Sequence, residues 1–249
     1  MDAQRLVVGR PTALVALGAA AKTSPGVVLS RARTVLYGRS LRPSLARFSR
    51  ARASTAPPGG PLAACATVAE RRAAKRAGLR TSLIGLAGVN GLPDGELLSF
   101  GLAGALNGLD TGTVVDAVRV VDEEGRTLWE GEPLGVPGAR QGTILAAGRV
   151  IDDPAERRRL HESTGADIVD LESGALAASG RLRGCLRAVS DTPERTLHGI
   201  CNAVTLRGTY NWPGLLGAFG RSPRGFAQAA GDARVALASL TAAARKWTA

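Results

Sequence analysis

Two carboxylates end two apolar runs in the segment 167–194, which reads DIVDLESGALAASGRLRGCLRAVSDTPE. The run ADIVDLE ends at Glu172, and the run CLRAVSD ends at Asp191. Carboxylates that converge on a pocket suit the cleavage of a glycosidic bond, because one stabilises the positive charge that builds on the sugar and another protonates the leaving group. The spacing alone fits a second interpretation equally well, in which both acids cap loops and face water.

The elements around these acids decide between the two interpretations. Twelve residues, SGALAASGRLRG, separate the runs, which is about the minimum for a helical crossover between parallel strands. Such a crossover would bring Glu172 and Asp191 to the same edge of the sheet, where α/β proteins bind ligands. The run ELLSFGLAG would end at that edge too, and Gly101, Ala103 and Gly104 would let a ligand approach the backbone closely.

The remaining pattern predicts strands that alternate with helices. PLAACATV and GTVVDAVRVV read as strands, DEEGRTLWEGEP as a turn and hairpin, and AERRAAKRAG and DPAERRRLHESTG as helices. A long Ala-rich helix is predicted over about 224–247. This order indicates an α/β domain on a largely parallel or mixed sheet, and the scarcity of aromatic residues, 4%, predicts a core of Ala, Val, Leu and Ile.

The basic charge is concentrated at the start of the chain. Residues 1–60 contain ten of the 32 Lys and Arg residues but one of the 21 Asp and Glu residues. We interpret 1–60 as a basic Ala/Arg-rich extension, either disordered or transit-like, or else translated from an upstream start without selected structure. Nucleic-acid binding by this extension is a weaker hypothesis, because aromatic residues do not alternate with its charges. The domain that could perform chemistry is 61–249.

Cysteine and histidine usage narrows the class of protein. Cys65, Cys185 and Cys201 are scattered, which fits a reducing compartment and not a disulfide framework. His161 and His198 are too few for a zinc site, so no metal site is predicted. Because no apolar run reaches the roughly 18–20 residues of a membrane span, we predict a cytoplasmic protein, with membrane association as the alternative.

Four segments, in order along 61–249, resemble motifs of the nucleoside phosphorylase and nucleosidase superfamily. DLES followed by RAVSD is similar to its paired signatures V-D-M-E-S and V-R-A-I-S-D. SFGLAGALNGLDTGTVV is similar to its sugar- and nucleophile-site segment, and ACATVAERRAA to the first-strand motif that ends in a catalytic Glu, here Glu70. The resemblance implies a three-layer α/β fold with a mostly parallel or mixed twisted sheet flanked by helices.

The resemblance also implies a role for each matched side chain. Asp191 would protonate, or hydrogen-bond to, the imidazole-ring nitrogen of a departing purine, and Ser190 would help to orient it. Glu172 would accept hydrogen bonds from the ribose hydroxyls. Glu70 would act on the nucleophile side, either as a general base to water or in organising ribose and phosphate. No cofactor is implied, and inorganic phosphate is the alternative to water as co-substrate.

Other matched positions would line the substrate. Ala103 and Gly104 would lie at the sugar end, Ile151 stands where nucleosidases often stack an aromatic ring on the base, and Leu171 stands where the family usually has Met. Arg187, inside a strand, is expected to pair with an acid near the site. About thirty residues separate Glu70 from GLAG, roughly half the usual spacing, so a shortened member that binds without turnover is the alternative.

The branch most similar to this chain is that of the phosphorylases associated with hopanoid biosynthesis. Both STGADIVDLES and the tail WPGLLGAFGRSPRGFAQAAGDARVALASL resemble it. That branch implies adenine removal from adenosylhopane, a homo-oligomer and a peripheral membrane contact. In the tail, Trp212, Leu215, Leu216 and Phe219 would then form an apolar rim around the pocket. Burial in a core or in a subunit interface explains the same four residues.

Overall fold

A mixed sheet with helices on both faces forms the centre of the computed structural model, which describes residues 60–195 and 203–248. The predicted α/β fold with a mixed sheet is confirmed. In chain order the elements are β1 Leu62–Cys65, α1 Val68–Arg76, β2 Thr81–Leu83, β3 Leu97–Ala105, β4 Val114–Val121, β5 Thr127–Glu130, β6 Arg140–Ala146, α2 Pro154–Thr164, β7 Ile168–Asp170, α3 Ser173–Ala178, β8 Leu182–Asp191, α4 Trp212–Arg221 and α5 Pro223–Thr248.

Strand β3 is the central strand of this sheet. One side of β3 pairs with β1 in parallel near its start and with β7 in antiparallel near its end, and its other side pairs with β8 in parallel. Strand β8 also pairs with β4, β4 pairs with β6, and β6 pairs with β7. The strands β3, β8, β4, β6 and β7 therefore close into a barrel-like ring, from which β1, β2 and β5 extend.

The predicted parallel crossover from β7 to β8 is wrong. These strands lie on opposite sides of β3 and run in opposite directions, since β7 is antiparallel to β3 and β8 is parallel to it. The difference lies in long-range pairing. Strand β8 pairs along β3 and in antiparallel with β4, whereas β7 pairs with the end of β3 and in parallel with β6.

The helices cover the sheet through small side chains. Helix α5 packs against β8, β3 and α1, and its buried residues include Ala236, Ala243 and Ala244. Helix α3 covers the other face of the sheet. Among the described residues Phe100 is the one buried aromatic side chain, so the predicted aliphatic core is confirmed. Small residues let these helices lie close to the strands that hold the acids.

Several local predictions can be compared with the described residues. The hairpin is confirmed as the antiparallel pair β4–β5, and α2 begins after Asp153, whose side chain accepts from the Ala155 N–H, and ends at Gly165 with a φ of 68°. Cys65 and Cys185 are buried free thiols. The predictions for the extension up to residue 59, and those for His198 and Cys201, lie outside the described residues. None of the described helices is long and apolar enough to cross a membrane.

Candidate active site

Glu70 lies in the first turn of α1 and connects that helix to β3. Its Oε2 accepts hydrogen bonds from the Thr67 N–H at 2.8 Å and the Thr67 hydroxyl at 3.0 Å, while Thr67 Oγ1 accepts from the Glu70 N–H. This reciprocal pair is a capping box. The other carboxylate oxygen, Oε1, accepts from the Leu102 N–H of β3 at 2.8 Å. The carboxylate is therefore buried and held from two elements.

Arg187 of β8 is a fully buried cation among three carboxyl groups. Its Nη2 lies 2.6 Å from Asp170 Oδ2 and 3.6 Å from Glu172 Oε2, and it donates to Ser99 Oγ at 2.7 Å. Although burial opposes the charge of the guanidinium, the carboxylates of Asp170, Glu172 and Glu70 hold the pKa of Arg187 above its ordinary value. A buried charge needs such partners. The sequence predicts that Arg187 pairs with an acid near the site, and of the acids around it Asp170 is the closest.

Glu172 follows β7 and is buried, so the interpretation that it faces water is wrong. Its Oε1 accepts from the Ala87 N–H at 3.2 Å. Ala87 has a φ of 52° and is, within the described ranges, the one residue other than glycine in the left-handed region. Burial raises the pKa of Glu172 to about 7; Arg187 opposes this shift, and the carboxylates of Asp170 and Glu70 add to it.

Two glycines of β3 make room for charged side chains. A Cβ on Gly101 would collide with Glu70 Oε1 and would lie 2.5 Å from Arg187 Nη1. A Cβ on Gly104 would lie 2.8 Å from Asp191 Oδ2. Side chains of the protein therefore occupy the Cβ side of each glycine. The backbone of Gly104, with Ala103, still lines the cavity described below, whereas Gly101 does not.

Asp191, at the end of β8, forms an ion pair with Arg157 of α2 through Oδ2. Its Oδ1 accepts from the Ser190 hydroxyl at 2.8 Å. Arg157 is itself buried, and it donates from Nε to the Ile151 carbonyl at 2.9 Å and from Nη1 to the Ala105 carbonyl at 3.1 Å. Asp191 is therefore not a solvated loop acid; it is fixed by a cation and a hydroxyl.

Sequence reasoning missed Arg157 and Asp170. Arg157 belongs to the run ERRRLHE, which is typical of a solvated helix face. One signal was present, because Arg157 lies one turn before Leu160, which packs partly buried against the core. Asp170 stands two residues before Glu172 in DIVDLE, and a strand continued through this run predicts both side chains on the same face.

One cavity of about 1140 Å³ connects these groups. All eight residues proposed from the sequence line it, namely Glu70, Ala103, Gly104, Ile151, Leu171, Glu172, Ser190 and Asp191. Glu70 and Arg187 meet at Gly101, and Asp191 and Arg157 meet at Gly104, three residues further along β3. This step corresponds to about 10 Å of strand. The cavity therefore has two charged regions, which we call the Gly101 end and the Gly104 end. At the Gly101 end it is lined by Glu70, Asp170 and Glu172, which surround Arg187, although Gly101 and Arg187 do not line it themselves; at the Gly104 end it is lined by Asp191 and Arg157.

The composition of these ends determines what the cavity can hold. At the Gly101 end, the carboxyl groups of Glu70, Asp170 and Glu172 surround the single guanidinium of Arg187, which favours a ligand that is neutral or gains positive charge. At the Gly104 end, Asp191 offers oxygen atoms to a polar group. The described part of the chain contains no group of His, Cys, Asp and Glu side chains arranged to hold a metal ion.

The structure of this chain is similar to solved structures of other proteins. No protein-family model matches the chain, and no curated protein matches it. Similar structures include the Helicobacter pylori 5'-methylthioadenosine/S-adenosylhomocysteine nucleosidase (12% identity, 53% of this chain and 86% of that chain, TM-score 0.44). The Campylobacter jejuni nucleosidase of the same name is 16% identical over 72% of this chain and 97% of its own, with a TM-score of 0.46. Helicobacter pylori futalosine hydrolase is 12% identical over 52% and 84%, with a TM-score of 0.42.

The space beside Gly101 gives a prediction about stability. We expect Gly101→Ala to lower the free energy of unfolding by about 1–3 kcal/mol, because the added methyl group collides with Glu70 and Arg187. Urea denaturation measures this change. The matched control is Gly108→Ala, since a Cβ on Gly108 meets nothing within 4 Å, and it should change stability by less than about 0.5 kcal/mol. Equal stability of the two variants would show that the charged pair does not lie against β3.

The raised pKa of Glu172 gives a prediction about pH. The folded chain holds the proton on Glu172 more tightly than the unfolded chain does. This proton therefore stabilises the fold fully below pH 4.5, the ordinary pKa of the group, and the stabilisation is lost as the pH rises through about 7. Between those values we expect wild-type stability to fall relative to Glu172→Gln, by at most about 3 kcal/mol.

Denaturation at a series of pH values checks this expectation. The control is Glu162→Gln, which changes an exposed glutamate of α2. If the wild-type and Glu172→Gln stabilities run parallel across this pH range, Glu172 is not the buried titrating acid described above.

Proposed function

We propose that this chain is an enzyme that cleaves the N-glycosidic bond of a purine nucleoside or of a nucleoside conjugate. The observation that supports the proposal is that Glu70, Glu172 and Asp191, far apart along the chain, line one cavity. Each is buried and held by specific partners, as reacting groups must be to act at a defined position. The motifs DLES, RAVSD and SFGLAG, through which the sequence resembles nucleoside-cleaving enzymes, surround this cavity.

The Gly101 end would hold the ribose. As the bond from the anomeric carbon to the base lengthens, the sugar gains positive charge. The carboxyl groups around Arg187 stabilise that charge, and their effect is strong because the site is buried. Glu172 accepts hydrogen bonds from the ribose hydroxyls, and these bonds strengthen as the hydroxyls become more acidic beside the cationic carbon.

Glu70 would act on the nucleophile. Its two oxygens already accept hydrogen bonds from Leu102 and Thr67, which fix the direction of the remaining lone pairs. A water molecule beside the anomeric carbon would give a proton to Glu70 as it attacks. With phosphate as the nucleophile, which needs no deprotonation, Glu70 would instead orient the ribose and the phosphate.

The Gly104 end would hold the base. A purine leaves more easily as a neutral molecule than as an anion, so a proton must reside on its imidazole-ring nitrogen. The ring nitrogen takes this proton from water, and Asp191, which is paired with Arg157, accepts a hydrogen bond from the resulting N–H while Ser190 keeps its carboxyl group in place. The ion pair with Arg157 sets the position of Asp191 before a substrate binds.

The size of the cavity favours a substrate larger than a nucleoside. Its volume of about 1140 Å³ slightly exceeds the range of about 300–1,000 Å³ that is usual for small-molecule sites. Tyr210, Leu215 and Phe226 contribute apolar surface to its wall. We therefore propose an adenosine that carries an apolar group on its ribose, such as the adenosylated hopane implied by the most similar branch.

A base-release assay tests the proposal. Wild-type protein should release adenine from adenosine, methylthioadenosine or an adenosylated lipid, in water alone for a hydrolase or only with inorganic phosphate for a phosphorylase. We expect Asp191→Asn to lower kcat/KM by about 10²–10⁴-fold, because the neutral amide lacks the negative charge that stabilises the protonated ring nitrogen. The matched control is Asp110→Asn, an exposed aspartate remote from the cavity walls.

Two results would contradict the proposal. If the wild type and Asp191→Asn release adenine at the same background rate from all three substrates, the chain is not this enzyme. Binding of the nucleoside without release, measured by calorimetry, would instead support the non-catalytic member of the same fold. Binding of nucleic acid through the basic extension concerns residues outside the described part of the chain.

A further inference from the structure

Helix α4 presents an apolar face to solvent. Trp212 is 70% exposed, Leu216 71% and Phe219 52%. Their spacing of four and three residues places them on one side of the helix. Leu215, which lies beside Trp212 and Phe219 on the helix, lines the cavity, and Ala218 is buried. The exposed side is therefore a continuous apolar face, which we call the Trp212 face.

The charged residues of the segment that contains the Trp212 face are all basic. From 203 to 231 the sequence contains Arg207, Arg221 and Arg224 but no Asp or Glu. Arg221 ends α4, Arg224 lies in the first turn of α5, and both are exposed. Among the described residues, none forms an ion pair with Arg221 or Arg224. An anionic partner can therefore reach both guanidinium groups.

We propose that the Trp212 face docks the chain on a membrane surface that contains anionic lipid. A short helix with a Trp on an apolar face and arginines at its end matches the chemistry of the lipid–water interface, where the apolar side chains enter the acyl boundary. The arginines complement the negative headgroups. Helix α4 would lie flat on the membrane, and it does not span it.

The position of α4 gives this docking a consequence. Tyr210, which precedes α4, and Leu215, which belongs to it, both line the cavity. The cavity would then open beside the lipid surface, so an apolar conjugate could enter it without crossing water. Docking goes beyond the proposed bond cleavage and does not depend on it, because binding to lipid and release of base are separate measurements.

Co-sedimentation of the full chain with vesicles tests the proposal. The vesicles contain phosphatidylcholine alone, or phosphatidylcholine with phosphatidylglycerol. We expect binding to the mixed vesicles to weaken more than about tenfold in Trp212→Ser with Leu216→Ser. Arg221→Gln and Arg224→Gln should each weaken it about fivefold. The matched controls are Val235→Ser, an exposed apolar residue of α5, and Arg72→Gln, an exposed arginine of α1, and both should bind as wild type does.

The basic extension is present in every variant, so its own attraction to anionic vesicles does not change between them. If Trp212→Ser with Leu216→Ser binds the mixed vesicles as tightly as wild type, the proposal is overturned. It is also overturned if the Trp212 face covers a second copy of the chain, which would appear as a dimer that this double variant dissociates while vesicle binding is absent.

Fluorescence gives a readout that does not require a disruptive substitution. Trp129 and Trp247 donate their indole N–H groups to backbone carbonyls of Leu182 and Leu134, whereas Trp212 is exposed. Vesicles with brominated acyl chains should quench the wild-type protein, and Trp212→Phe should lose that quenching while it still binds. Quenching that persists in Trp212→Phe, or that is absent from the bound wild type, would overturn the proposal.

Discussion

The guanidinium of Arg187 has no access to water, so the surrounding side chains must supply its ion-pair and hydrogen-bond partners. A buried cation is stable only when anions and acceptors surround it. Asp170 and Glu172 arrive from the end of β7, and Ser99 arrives from β3. Glu70 approaches from α1 and meets Arg187 against Gly101. The same charge therefore holds together the end of β7, the first half of β3 and the first turn of α1, and it concentrates carboxyl groups at one end of the cavity.

Strand β3 sets the distance between the two ends of the cavity. Gly101 leaves room for Glu70 and Arg187, and Gly104 leaves room for Asp191 and Arg157. Because the ring of strands pairs β3 on both sides, β3 cannot slide relative to β7 and β8 without breaking these ladders. The side chains that β7 and β8 bring to Gly101 and Gly104 therefore keep their places, as the two ends of the substrate proposed above would require.

The sequence pattern predicts the elements well, because apolar runs and Ala-rich charged segments differ locally. It also identifies the acids, since Glu172 and Asp191 each end an apolar run. It does not reveal strand direction: β7 and β8 run in opposite directions on the two sides of β3, which depends on pairing between residues distant along the chain. The sequence pattern does not reveal the ion-pair partner of Asp191 for a related reason. Arg157 has the local context of a helix surface, and only the packing of α2 against Asp191 makes it part of the site.

Unfolding of variants at Arg187 tests the central claim most directly. Arg187→Met leaves Asp170 buried without its cation, so it should lower the free energy of unfolding by about 3–5 kcal/mol. Asp170→Asn added to Arg187→Met should restore part of that loss, with a coupling of about 0.5–3 kcal/mol, because no uncompensated charge then remains at that position. If Arg187→Met unfolds as the wild type does, or if the two substitutions are simply additive, the buried cation does not hold the site together.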